Sequence, residues 1–285
     1  MAIGFIGLGN LGRAITSRLA SLGEELVIYN RNKEKIKDLP YEKVETPREI
    51  LDKCDVVFLC LFDSDAVNYI LSGENGLLCE ELAGKTIIDL TTNHYHDVLE
   101  FHNAVNALGG NYLENPVFGS VAPALQGALT VVSSGKKEVF ESVKPILEKI
   151  AKEIFFLETP SSATKMKLIN NLCLGSFMAT LAECTAMAES CDIPKAKALE
   201  ILGVGGGQSL VLKAKTQKLI DEDFSAHFSN NAINKDLHLL QDLAYKLQKP
   251  LYSATIPEYR DWETDRKSTR LNSSHSGESR MPSSA

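Results

Sequence analysis

Short apolar runs alternate with stretches of helical period through the first half of the chain. The runs are AIGFIGL (2–8), ELVIYN (25–30), DVVFLCL (55–61), KTIIDL (85–90), NYLENPV (111–117), LTVVSSG (129–135) and EIFFLE (153–158). Several are rich in Val and Ile and continuous rather than alternating, as strands covered on both faces should be. With helices between them they predict a doubly wound parallel sheet. Strand signals stop near Glu158, and after the break at Thr159 and Pro160 everything reads as helix. The first of these helices, Ala163–Cys191, would be about 40 Å long. It contains NNLCLGSFMATLAE, apolar on nearly every face, which predicts burial at a domain or subunit interface. Shorter helices are expected over Lys195–Leu202, Leu210–Ile220 and Ala232–Leu247, separated by the turn-forming GVGGG, DEDFS and QKP.

The last stretch breaks this pattern. From Asp265 onward, DRKSTRLNSSHSGESRMPSSA has almost no apolar residues and no period, the composition of a disordered tail. Back-translated, Asp265–His275 and Ser279–Ala285 resemble a sequencing-library adapter in one reading frame. The tail is therefore expected to be non-native, with the native gene cut near Arg260–Thr264 and the helical half truncated.

Composition narrows the class. Of 285 residues, 44% are hydrophobic and 7% aromatic, which suits a packed core and excludes collagen-like, disordered and disulfide-scaffold chains. The formal charge is −7, or −9 without the tail (26 basic against 35 acidic residues). With no basic cluster, nucleic acid is not an expected partner. No apolar run approaches the roughly 18 to 20 residues of a membrane span, and no leader precedes the first strand, so a cytoplasmic, membrane-free setting is expected. The six cysteines show no zinc-type spacing and read as reduced core residues.

The chemistry begins at Gly7-Leu8-Gly9-Asn10-Leu11-Gly12, which follows a strand directly and opens a helix over Asn10–Leu22. In that context GxGxxG is a dinucleotide fingerprint. The first glycine makes the tight turn, the second admits the pyrophosphate, the third lets helix and strand pack closely, and the helix N-terminus faces the phosphates. Residues 1–160 are thus expected to form a Rossmann-type dinucleotide-binding domain, followed by a helical substrate and dimerisation domain over 161–264. At the end of the second strand, where an NAD site carries Asp or Glu, this chain has Asn30-Arg31-Asn32. Without a carboxylate to repel a 2′-phosphate, and with a guanidinium to clamp it, NADP(H) is favoured over NAD(H), with Lys33 and Lys35 as auxiliaries. In the long helix, Lys167 and Asn171 are four apart and share a face. Two asparagines, Asn170 and Asn171, lead into an apolar run, and buried amides need partners.

These residues carry a resemblance. GFIGLGNLGRAI, Asn30-Arg31, Leu61-Phe62-Asp63, Asp89-Leu90-Thr91-Thr92, Asn115 through Ser120, Gly127 through Thr130, Met166 through Asn171, and Lys235-Asp236 together resemble the β-hydroxyacid dehydrogenase family over residues 1–260. The run Gly175–Glu183 and the spacing from Phe228 to Asp236 are most similar to its glyoxylate/succinic semialdehyde reductase branch.

The resemblance implies roles. Lys167 would be the general acid in reduction and the base in oxidation, with Asn171 holding substrate and lysine. Thr92, Gly119 and Ser120 would line the substrate and nicotinamide pocket, while Phe228 and Asp236 close it from the helical domain. Gly7, Gly9, Asn10, Leu11, Gly12, Asn30, Arg31, Asn32, Leu61, Phe62, Thr92 and Lys235 would contact the cofactor. A lysine desolvated in a cleft has its pKa lowered toward working pH, which suits this proton transfer. No metal is required, and His94 and His96 read as a solvated helix start. A small carbonyl or hydroxy acid substrate and a homodimer or homotetramer are implied.

Three features depart from the family pattern. Phe118 stands where a substrate-binding serine is usual, leaving the substrate carboxylate to the backbone N–H groups of Gly119 and Ser120. Ser161 and Ala163 replace the glycines that normally lead into the long helix, and the family's C-terminal helix is expected to be missing after Tyr259. Phe118 keeps open an imine reductase or a reductase of bulkier carbonyls. A non-catalytic NADP-binding interaction protein is the third reading; the presence of Lys167 argues against it.

Overall fold

The computed structural model describes residues 2–79, 81–223, 225 and 229–253. Expectations for Phe228, for the chain beyond 253 and for the adapter-like tail lie outside these residues.

Among the described residues nine strands form one sheet: β1 (Ile3–Ile6), β2 (Leu26–Tyr29), β3 (Glu42–Lys43), β4 (Val56–Leu59), β5 (Thr86–Asp89), β6 (Asn111–Glu114), β7 (Val117–Phe118), β8 (Leu129–Ser134) and β9 (Ala151–Leu157). The described helices of the first half are α1 (Asn10–Ser21), α2 (Ser64–Ser72), α3 (Asp97–Ala107), α4 (Val121–Gln126) and α5 (Lys137–Leu147). Strands β3, β2, β1, β4, β5 and β6 lie side by side in that order, all parallel. Order reverses between β1 and β4, the crevice where doubly wound sheets bind ligands.

Alternate residues of these strands feed two cores. Phe5, Ile28, Phe58 and Ile88 pack on the face covered by α1 and α5, while Ile6, Val27, Val57, Leu59 and Ile87 pack on the α2 and α3 face. That two-sided burial explains why the sequence runs are continuously apolar.

The sheet departs from purely parallel pairing at β8. Pro116 divides NYLENPV into β6 and β7, and both pair antiparallel with β8, Glu114 opposite Ser134 and Val117 opposite Val131. The segment 119–128 between β7 and β8 is shorter than the dozen or so residues a parallel crossover needs, so the chain returns antiparallel. The sequence pattern also missed β3, whose two residues are exposed and carry no hydrophobic signal.

The second half is helical: α6 (Ser162–Ser190), α7 (Lys195–Leu202), α8 (Leu210–Ile220) and α9 (Asn230–Lys246). Helix α9 starts two residues earlier than its apolar period suggests, because Ser229 is the N-cap and its hydroxyl accepts from the Ala232 N–H at 3.2 Å. Leu168 of α6 and Leu240 and Leu243 of α9 close on Tyr95, joining the helices to the loop after β5.

Helix α6 is less buried than expected. Met166, Ile169, Cys173 and Phe177 form an exposed stripe along it, and Cys173 and Cys191 are exposed rather than core residues. Among the described residues no helix is long and apolar enough to cross a membrane.

Candidate active site

Each glycine of the first loop has a separate geometric reason. Gly7 has φ +101°, and a Cβ there would lie 2.3 Å from the Cys60 carbonyl oxygen; one on Gly12 would lie 2.0 Å from the Gly7 carbonyl oxygen. A Cβ on Gly9 would meet nothing within 4 Å. Gly7 and Gly12 are therefore demanded by the chain itself, while Gly9 opens onto free space. Gly9 is also the N-cap of α1 and gives no side-chain cap, and the first turn holds no acid. The N–H groups at Asn10 and Leu11 head an uncapped helix, a fit for a pyrophosphate.

The side chains of the turn after β2 have distinct partners within the protein. Asn30 braces the protein: its Oδ1 accepts from the Leu8 N–H at 2.9 Å and its Nδ2 donates to the Asn32 carbonyl at 2.8 Å. Asn32 caps the short turn that follows, accepting from the Glu34 N–H. Lys33 is engaged within the protein, its ammonium on the Val44 and Glu45 carbonyls and over the Tyr29 ring. Arg31 is exposed and its guanidinium makes no hydrogen bond or ion pair among the described residues. Arg31 thus keeps its guanidinium donors free among the described residues.

The loops after β4 and β5 form the next wall. Asp89, fully buried at the end of β5, accepts from the Thr91 N–H at 2.8 Å, Asn93 Nδ2 at 2.7 Å and the Tyr112 hydroxyl at 2.6 Å. Burial raises its pKa against those donors. The Thr91 hydroxyl accepts from the Leu61 N–H, which ties the two loops together and presents Thr92 and Phe62.

Helix α9 reaches this wall through Lys235, whose ammonium donates to the Thr92 carbonyl at 2.7 Å and sits 5.7 Å from the Phe62 ring centre. Its neighbour Asp236 is 1% exposed. Asp236 Oδ2 accepts from Asn171 Nδ2 at 2.6 Å, while Oδ1 lies 2.7 Å from the Lys235 ammonium, an ion pair outside hydrogen-bond geometry. Burial raises the Asp236 pKa, opposed by Lys235, Lys167 and the Asn171 amide. The amide in the apolar helix thus finds its partner on α9.

Lys167 completes the cluster. Its side chain is nearly buried, the ammonium donating to the Val117 carbonyl at 2.8 Å and lying 4.9 Å from the Phe118 ring centre. Burial pulls its pKa from 10.5 down to about 8, with Asp236 opposing and Lys235 adding to the shift. A group titrating there can give and take a proton near neutrality. Gly119, with φ +122°, and the half-buried Ser120, the N-cap of α4, follow Phe118 where β7 ends.

The structure therefore assembles Lys167, Asn171, Lys235, Asp236, Phe62, Thr92 and Phe118 at the ends of β4, β5 and β7. His94 is not simply solvated: its Nε2 lies 3.1 Å from Asp242 of α9, which also accepts from the Tyr95 hydroxyl. Sequence reasoning assigned no role to two buried carboxylates, Asp89 and Glu114. The available signal was an acid closing an apolar strand, in TIID and NYLE.

Comparison with known proteins identifies related chains. Residues 2–158 match the family model described as the NAD binding domain of 6-phosphogluconate dehydrogenase, and residues 161–258 match that of NADP-dependent 3-hydroxyisobutyrate dehydrogenase. The cytokine-like nuclear factor N-PAC of Gallus gallus is 32% identical over 87% of this chain, which spans 45% of that protein's length. Glyoxylate/succinic semialdehyde reductase 1 of Arabidopsis thaliana is 29% identical, with 84% of each chain covered. Among solved structures, Psf3 in complex with NADP+ and 2-OPP superposes with a TM-score of 0.83 at 26% identity, covering 94% of this chain and 95% of that one. The 3-hydroxyisobutyrate dehydrogenase of Salmonella typhimurium has a TM-score of 0.81 at 24% identity, covering 96% and 95%, a likeness of fold.

Proposed function

The chain belongs to the β-hydroxyacid dehydrogenase family, and from that premise we propose that it reduces a small aldehyde or keto acid with NADPH. Glyoxylate and succinic semialdehyde are the first candidates; run in reverse, the reaction is a 3-hydroxyisobutyrate-type dehydrogenation. The observation that carries this reading is Lys167, desolvated in the cleft, held on the Val117 carbonyl and flanked by the Asn171–Asp236 pair. When bound at the glycine loop, NADPH supplies a hydride to the carbonyl carbon. Lys167 gives a proton from Nζ to the carbonyl oxygen, Asn171 holds the substrate beside it, and Asp236 fixes that amide. Phe118 keeps water from the ammonium. Thr92, Gly119 and Ser120 orient the substrate, and residues 161–264 act as the substrate domain against the cofactor domain of residues 1–160.

The test is NADPH oxidation with glyoxylate, succinic semialdehyde, methylmalonate semialdehyde and tartronate semialdehyde. Turnover of one or more is expected; tight NADPH binding with no turnover would instead favour the cofactor-binding interaction protein, a reading that the nuclear-factor relatives keep in view. A homodimer or homotetramer is part of the proposal, supported by the apolar stripe along α6.

Two predictions follow from the site's charges. As an acid, Lys167 must be protonated, so the reduction rate is expected to fall as pH rises through about 8, while oxidation, which needs the neutral amine, rises through the same range. Initial rates in both directions across pH 6–10 check the sign (a range of about four units around the working pH). For the cofactor, Arg31→Ala is expected to weaken NADPH binding by about ten- to a hundredfold, the scale of hydrogen bonds to a charged group, and to leave NADH binding unchanged. Fluorescence titration with both cofactors measures the ratio. Equal losses for the two would remove Arg31 from the 2′-phosphate.

A further inference from the structure

Strand β6 ends on Glu114, a carboxylate 1% exposed at the foot of α6. One oxygen, Oε1, accepts from the Ser161 N–H and the Ser134 hydroxyl. The other, Oε2, accepts from the Thr164 N–H at 2.9 Å and the Thr164 hydroxyl at 2.5 Å. Helix α6 has no side-chain cap of its own and no acid in its first turn. Glu114 therefore supplies from the sheet both the missing acceptors and the negative charge that a helix N-terminus favours. The grip begins at Ser161, which takes the left-handed φ of +71° and anchors its hydroxyl on the Tyr95 carbonyl at 2.6 Å.

What lies one turn further makes this more than a cap. Thr164, Lys167, Leu168 and Asn171 are all buried; Lys167 and Leu168 lie three and four residues beyond Thr164, and four and three before Asn171, so they share a face. The carbonyl that receives the Lys167 ammonium belongs to Val117, in the same short segment as Glu114. One piece of chain thus holds the start of the helix at Glu114 and the end of the lysine at Val117. Around Lys167 stand Asp236 and Lys235 from α9 and the Phe118 ring from β7; beside Glu114, His102 of α3 brings its Nε2 to 3.8 Å without a hydrogen bond.

We propose that Glu114 is a positioning residue for Lys167: by gripping the first turn of α6 with both oxygens, it sets the helix's rotation and depth so that Nζ meets the Val117 carbonyl out of reach of water. The role rests on Lys167 being the proton donor of the proposed reaction, but its placement is measurable without any substrate.

The experiment compares the full chain with Glu114→Gln and Glu114→Asp. In Gln one oxygen becomes an amide donor facing donors on α6 or Ser134; Asp keeps the charge and loses the reach. An amine-reactive acylating reagent labels only the neutral amine, so peptide mass spectrometry of Lys167 labelling against pH gives its titration midpoint. The wild type is expected near 8. Both variants are expected to move upward, toward the ordinary lysine range, as water reaches Nζ. Where turnover is measured, kcat should fall by about ten- to a hundredfold, the scale of a small misplacement, with KM for NADPH unchanged.

A purely structural cap would lower the melting temperature and leave the midpoint where it is. Loss of a through-space charge would move the Gln midpoint downward and spare Asp. Either result overturns the proposal. Should neither variant fold, Thr164→Val removes only the hydroxyl donor; a smaller upward shift with a severalfold lower kcat is expected, and an unchanged midpoint and kcat refute the grip. If the wild type turns over none of the carbonyls, the proposed reaction fails, and the labelling midpoint still decides the role of Glu114.

Discussion

Replacing Lys167 by methionine is expected to lower kcat for carbonyl reduction by at least about a hundredfold, the ordinary scale for a proton-transfer residue, and at the same time to stabilise the protein. The two effects share one cause. The ammonium is nearly buried, with one carbonyl acceptor at 2.8 Å and an aromatic face for company, and the drop in pKa from 10.5 to about 8 records how poorly that environment holds the charge. A shift of that size corresponds to on the order of 3 kcal/mol. Because the folded state binds this proton less tightly than the unfolded chain, the penalty is fully present below about pH 8 and disappears as pH rises toward 10.5. Methionine keeps an unbranched apolar stem one atom shorter than lysine and carries no charge. Urea denaturation should therefore show the variant more stable at pH 7, with the advantage fading at pH 10. Unchanged turnover would remove Lys167 from the chemistry, and a destabilised variant at pH 7 would show that its contacts outweigh its desolvation.

The glycines of the cofactor loop give the second large effect, as a contrast between neighbours. Gly12→Ala places a Cβ 2.0 Å from the Gly7 carbonyl oxygen. Both groups are backbone, so α1 must move off the sheet, at a cost of 1–3 kcal/mol or roughly more for an overpacked site. The protein without cofactor should already be destabilised. Gly9→Ala meets nothing within 4 Å, and its φ of −70° suits any residue, so its stability without cofactor should stay within about 0.5 kcal/mol of wild type. The same methyl projects into the space in front of the helix, where the pyrophosphate must approach, and NADPH affinity should fall by at least about tenfold, some 1.4 kcal/mol. Thermal melts with and without NADPH separate the cases. If Gly9→Ala binds NADPH as the wild type does, the pyrophosphate does not approach over Gly9.

Much of the fold was legible because its signals are local. The apolar runs at Ile3–Ile6, Val56–Leu59 and Thr86–Asp89 are strands covered on both faces, and helix ends at Leu202 and Ile220 coincide with the Gly and Asp that stop them. The candidate site was legible to the extent that residues sat in an odd context. Asn171 stood out as an amide in an apolar helix, and Arg31 as a cation where a carboxylate is usual. What escaped was whatever depends on a partner distant in sequence. Asn30 and Lys33 read alike as cofactor contacts, yet one braces Leu8 and the other is engaged by the carbonyls of Val44 and Glu45. The apolar stripe of α6 gave no hint of which side would be covered.

The sequence by itself determined the element types, the glycine turn and the pairing of Lys167 with Asn171 on one helical face, because these follow from backbone geometry and periodicity within a few residues. Only the tertiary structure decided that Asn171 would meet Asp236 across 65 positions, that Lys167 would reach Val117, and that Glu114 would hold the helix carrying both. A buried polar group is stable only with its partners in place, and those partners are chosen by how strands and helices stack, which no local pattern records.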